Sequence, residues 1–203
     1  AKKICLTFSE TVGFVPKRKA VVTGNPIRKE LYNPPNSPPF SIKESDIPII
    51  YITGGSSGSH SINILIYDIL EKLLTKYIVI HQTGSSSYND FEKLGKKLQT
   101  FSPHLQARYI RRQHVRVDEL AWIYANAKLL VGRSGANTVN EILAFGIVSI
   151  LIPLPWAAAA EQEANARLVE KVGLGKILLQ ENLTANVLAS EIDNAIVHLD
   201  YYE

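Results

Sequence analysis

A chain of 203 residues, 46% hydrophobic and 20% charged, is long enough to bury a sizeable core and is no disordered tail. Its formal net charge of +3, with basic stretches only at Lys17 to Lys19 and Arg108 to Arg116, forms no basic stripe interleaved with aromatics, so no nucleic acid partner is expected. The single cysteine, Cys5, cannot form an internal disulfide and reads as a small core residue compatible with a reducing compartment. No apolar run reaches the roughly 18 to 20 residues of a membrane-spanning helix, and the opening AKKICLTF is too short in apolar residues for a secretory signal.

In chain order, Ala1 to Thr23 carry a short apolar run, a basic loop and AVVTG, with a boundary near Gly24. Pro34, Pro35, Pro38 and Pro39 then rule out helix or central strand and predict an extended loop. Ile47 to Thr53 reads as a strand ending at Gly54-Gly55, followed by a helix with Ile62, Leu65, Ile66, Ile69, Leu70 and Leu73 on one face. A strand from Tyr77 (YIVIHQT), a helix over Tyr88 to Thr100, a strand ARYIRR and a helix over Asp118 to Ala127 come next. KLLVG (strand), Thr138 to Phe145 (helix), VSILIPLP (strand), Glu161 to Val172 (helix), GKILL (strand) and Ala185 to Leu199 (helix) complete the pattern. Strands alternating with helices, without hairpin signals or an internal repeat, predict an α/β fold with a doubly wound parallel sheet.

In such a sheet, ligands gather at the carboxyl ends of the strands, where Gly-rich turns open helices. GGSSGSH, from Gly54 to His60, can bring backbone N–H groups to an anion, yet it is neither G-x-G-x-x-G nor a P-loop with its lysine. GRSGANTVNEILAFG, from Gly132 to Gly146, ends a strand at Ser134 to Asn137 and places Glu141 one turn into the next helix, where a carboxylate can accept from two vicinal ribose hydroxyls. For any single Glu, a solvent-facing helical residue at a favourable dipole position is the commoner reading. There is no D-x-D, H-x-H or Cys/His cluster, so no metal ligand set and no cofactor is expected. His60, His81, His104, His114 and His198 show no acid partner in the sequence.

Together, TGNPIR, YITGGSSGS, HQTG, RSGANTVNEILAFG and IPLP followed by EQEANA resemble, in order and spacing, the motifs of the MurG family of bacterial transferases, which add N-acetylglucosamine to lipid I to make lipid II. The resemblance implies the carboxyl-terminal, UDP-sugar-binding half of a GT-B enzyme, with a Rossmann-like sheet. Residues 1–23 would be the end of the amino-terminal acceptor domain and linker, and residues 24–203 a donor domain cut short at its C-terminus. The lipid-linked acceptor, the base and the membrane contact would belong to the missing half, leaving no catalytic residue here and a complete enzyme peripheral to the cytoplasmic face of the membrane.

Position by position, the resemblance puts Arg28 near the nucleotide and makes Gly55, Ser56 and Gly58 a flexible phosphate-side loop. It sets Ser134, Gly135, Ala136, Asn137 and Thr138 at a helix N-terminus facing the diphosphate, Glu141 on the ribose, Val117 at the uracil edge, and Gln162 with Asn165 toward the sugar. Ser59 replaces the family's Ala, Arg116 stands where many members carry an aromatic beside the uracil, and WAAAAE, from Trp156 to Glu161, replaces a more polar segment that bears on the choice of sugar. Two alternatives remain at this level: the donor half of another UDP-sugar transferase, as in glycolipid synthesis, or a non-catalytic nucleotide-binding subunit that needs a partner chain. A sugar epimerase of the same fold is a more distant third.

Overall fold

The computed structural model describes residues 1–42, 46–85, 87–156 and 160–202. Its main sheet has six strands, all parallel: β3 (Ile49–Thr53), β4 (Ile78–Gln82), β5 (Tyr109–Arg112), β6 (Leu129–Gly132), β7 (Ser149–Leu151) and β8 (Gly175–Ile177). They lie in the order β5-β4-β3-β6-β7-β8. Two short strands, β1 (Ile4–Leu6) and β2 (Ala20–Val22), pair in parallel as a separate sheet. The helices are α1 (His60–Leu74), α2 (Asp90–Leu98), α3 (Pro103–Ala107), α4 (Val117–Asn126), α5 (Ala136–Phe145), α6 (Glu161–Lys171) and α7 (Ala185–Val197).

Both faces of the sheet are covered, and strand alternation decides which residue serves which face. Ile50 and Ile52 of β3 join Val79, Leu129 and Val131 beneath α1 and α7, where Ile66, Leu70, Leu188 and Ile192 are buried. Tyr51, between the two isoleucines, points the other way, with Ile78, Ile80 and Leu130, against Leu120 and Ile123 of α4, Val139 and Ile142 of α5, and Val169 of α6. The proline-rich loop has no regular structure, yet Leu31 and Phe40 on either side of it are buried in this second layer, Phe40 edge-on to Trp122 with ring centroids 5.9 Å apart.

Several expectations shift for local reasons. Ser102 followed by Pro103 starts the extra helix α3, because proline loses nothing at a first helical turn, so β5 begins at Tyr109 rather than Ala107. Pro153 and Pro155 have no N–H to give a ladder, and β7 stops at Leu151. Helix α5 starts at Ala136, two residues earlier than expected, and ends at Gly146, whose φ of 64° few side chains tolerate. Cys5 is exposed on β1, not a core residue as expected.

One buried polar chain crosses the layer on the α1 side of the sheet. His81 on β4, fully buried, lies 3.0 Å (Nε2) from Asn63 Oδ1 and 2.8 Å (Nδ1) from the Tyr109 hydroxyl. Because the Asn63 oxygen only accepts, Nε2 carries the hydrogen and Nδ1 accepts from Tyr109. Burial pushes the imidazole down from its ordinary 6.5 to about 3. The neutral ring is therefore favoured in the fold, and its contribution is complete above pH 6.5 and lost as pH falls toward 3, where the unfolded chain takes up a proton the fold refuses. We expect the urea unfolding free energy to decline below pH 6.5 with a contribution of up to about 1.4 kcal/mol per pH unit from this group. In NMR the His81 ring signals should stay fixed from about pH 8 to about pH 5; a midpoint near neutrality would show the assignment to be wrong.

Candidate functional site

The strand order reverses direction between β3 and β6: from these neighbours the chain leaves for α1 on one face and α5 on the other, opening a crevice at the carboxyl edge. Two clefts meet there, of about 430 Å³ and about 590 Å³, sharing Gly55, Ser56 and Thr138. Asn25, Arg28, Tyr51, His114, Val115, Tyr124, Asn137 and Glu141 line the first. His60, Tyr88, Arg133, Gly135, Trp156 and Gln162 line the second.

The first turn is fastened at its base. The Gly55 N–H donates to Thr53 Oγ1 at 3.0 Å, Gly58 N–H donates to the Gly55 carbonyl at 3.1 Å, and Gln82 Nε2 donates to the same carbonyl at 2.9 Å. Gly58, at φ 77°, packs backbone against backbone: a Cβ there would sit 2.2 Å from the Thr83 carbonyl oxygen. The tip, Ser56 and Ser57, is exposed. Behind the tip, Ser59 precedes α1 and Gly135 precedes α5, neither making a side-chain cap, so the first N–H groups of both helices are available to an anion in the crevice.

Glu141, largely buried, accepts from the Tyr124 hydroxyl at 2.6 Å and from Arg28 Nη2 at 3.1 Å. Burial, and then the Glu141 carboxylate, hold the Tyr124 hydroxyl well above its ordinary value, so it remains a donor that fixes the carboxylate. The GNPIR segment runs alongside α5, with Asn25 Nδ2 donating to Asn137 Oδ1 at 2.7 Å. The structure thus brings Arg28, Gly55, Ser56, Asn137, Thr138 and Glu141 to one cleft, and Gly58, Gly135 and Gln162 to its neighbour, with Ala136 between them as the first residue of α5.

Other candidates lie elsewhere. Ser134 is fully buried, its hydroxyl donating to the Gln162 carbonyl at 2.7 Å, and the buried Asn165 donates to the Ser134 carbonyl at 3.2 Å; both brace α6 against the second turn. Val117 opens α4 packed against the lower core, while His114 and Val115 line the cleft. Arg116 does not line the cleft; its exposed guanidinium is paired with Asp118 at 3.0 and 2.7 Å. Within WAAAAE, Trp156 is 72% exposed beside Gln162, and Ala157 to Ala159 lie outside the described residues. Among the described residues no group of three His, Cys, Asp or Glu side chains could hold a metal ion.

Two groups were invisible in the sequence. Buried Arg133 donates to Ser59 Oγ (3.1 Å), Ser61 Oγ (2.7 Å), Gln180 Oε1 (2.6 Å) and the carbonyls of Ile152 (2.9 Å) and Pro153 (3.1 Å). Burial lowers it to about 10, still charged at neutral pH. His60 does have an acid partner: its Nδ1 is 2.8 Å from Asp90 Oδ1.

Residues 49–201 match the glycosyltransferase family 28 C-terminal domain. The UDP-N-acetylglucosamine–N-acetylmuramyl-(pentapeptide) pyrophosphoryl-undecaprenol N-acetylglucosamine transferase of Clostridium novyi is 34% identical over 195 residues, covering 94% of this chain and 51% of the relative. That of Thermoanaerobacter sp. is 36% identical over 198 residues, covering 94% and 52%. The chain thus spans about half the length of these relatives. Among solved structures, Acinetobacter baumannii MurG superposes with a TM-score of 0.70 at 25% identity, covering 100% of this chain and 54% of the other. The kitacinnamycin glycosyltransferase, at 14% identity and a TM-score of 0.66, shares the fold.

Replacing Arg133 by Leu strips donors from two buried carbonyls, and we expect the unfolding free energy in urea to drop by about 3 kcal/mol. A loss below about 0.5 kcal/mol would show that the guanidinium does not hold this edge.

Proposed function

The chain belongs to the family of glycosyltransferase family 28 C-terminal domains, and from that premise we propose that it is the UDP-N-acetylglucosamine-binding half of an inverting transferase that acts on a lipid-linked N-acetylmuramyl-peptide acceptor in bacterial cell-wall synthesis. The observation that carries this reading is Glu141 in the first cleft, one turn beyond the uncapped N-terminus of α5.

In this reading the nucleoside occupies the first cleft. Glu141, steadied by Tyr124, accepts from the two ribose hydroxyls, and the uracil lies toward His114 and Val115. Arg28 Nη2 donates to the same carboxylate at 3.1 Å. The diphosphate lies across the shared residues Gly55, Ser56 and Thr138, between the N-termini of α1 and α5, and the sugar reaches the second cleft by Gln162.

Transfer forms a bond from the acceptor oxygen to the anomeric carbon and breaks the bond from that carbon to the phosphate oxygen, leaving the electron pair on UDP. Free N–H groups of both helices stabilise that charge without reorganising. The acceptor site and the base that takes the hydroxyl proton are assigned to the other half of the enzyme, as is the contact with the cytoplasmic face of the membrane. No helix among the described residues is long and apolar enough to cross a membrane.

Calorimetric titration tests the reading. UDP-N-acetylglucosamine and UDP should bind, and Glu141→Ala should weaken both by about 1.5 to 3 kcal/mol, the worth of hydrogen bonds to a charged group. Equal binding of ADP, or an unchanged affinity in the variant, would count against a uridine nucleotide held at Glu141.

A further inference from the structure

We infer that His60 is a proton-linked contact for the donor's diphosphate, its ring set by Asp90 and Tyr88 so that Nε2 serves the second cleft. The inference rests on the donor-binding reading above.

His60 is the first residue of α1 and lines the second cleft together with Ser56, Gly58 and Gln162. Its ring is held on two sides. Asp90 Oδ1 lies 2.8 Å from Nδ1, and Tyr88 stacks on the face with centroids 3.7 Å apart and planes within 9°. An ionised carboxylate only accepts, so Nδ1 carries the hydrogen, and Nε2 is the ring atom left to gain or lose a proton. Asp90 itself is nearly buried, its second oxygen accepting from Asn63 Nδ2 at 2.8 Å. Asn63 is tied in turn to His81 and to the Thr83 carbonyl. A side chain that only filled space at a helix start would need none of this orientation.

The charged groups around the ring are Asp90, Lys93 on α2 and Arg133 after β6, with Tyr88 before α2 and Tyr67 on α1 the other titratable neighbours. A diphosphate entering the second cleft adds two negative charges beside the ring and favours its protonated form. Binding therefore takes up a proton, and donor affinity rises as pH falls through neutrality. The acceptor side of the reaction has no part in this coupling.

The probe is UDP-N-acetylglucosamine, whose diphosphate diester has no proton to exchange near neutral pH. Titrations at about pH 7 in two buffers of different ionisation enthalpy should show uptake of up to about one proton, and affinity should rise severalfold from about pH 8 to about pH 6, bounded by about tenfold per unit for one proton. His60→Gln should bind the nucleotide sugar with neither uptake nor pH slope. Wild-type binding with no buffer-dependent heat, or uptake that survives in the variant, overturns the assignment of His60 and leaves the donor site standing. No binding by the wild-type chain removes the donor reading and this inference with it.

Discussion

Between β3 and β6 the two helices diverge, and the space left at the carboxyl edge is surrounded by hydroxyls and backbone carbonyls that need donors; the Arg133 guanidinium supplies them. Its bonds reach the start of α1, the end of β7 and Gln180 beyond β8, so one planar group ties three crossovers together. None of these partners is a carboxylate. An Arg–carboxylate pair would cancel its own field, whereas a cation caged by neutral oxygens keeps its potential and lends it to the adjacent helix N-termini. The stability of the edge and its positive potential thus have a common origin.

Rigidity at this edge comes from backbone contacts more than from side chains. Gly58 and Gly84 approach so closely that neither could carry a Cβ without displacing the other's main chain, which locks the turn after β3 to the turn after β4. Gln82 adds a second lock, holding the Gly55 carbonyl with its amide nitrogen while its oxygen accepts from the Val115 N–H, so three successive βα turns share one side chain. These contacts hold groups from different strands in fixed relative geometry.

The alternation of strands and helices was legible because β3, β6 and β7 are near-continuous apolar runs and the turns after β3, β4, β6 and β7 carry glycine or proline. The strand order was not, since it depends on which way each crossover swings, and no local pattern records that. Gly55 and Glu141 could be picked out because uncapped Gly turns and an acid one turn into a helix have their own signatures. Arg133 could not, for Ser59 and Ser61 lie 74 and 72 positions away. His60 and Asp90 are 30 positions apart and meet only after α1 and α2 pack. Ser134 and Asn165 show the opposite limit: expected from sequence to face the donor, both are turned inward by the need to satisfy a carbonyl at the start of α5 and α6.

The pairing of β3 with β6 has a further consequence, for the time course of folding. Ile50 meets Leu129 only after two complete βα units have been threaded between them, one of the longest loop closures in the sheet. The β3-β4-β5 half and the β6-β7-β8 half can each assemble from shorter-range contacts, so their union is the entropically slow event. The crevice exists only along that seam. The crevice is therefore complete only once the two halves have joined.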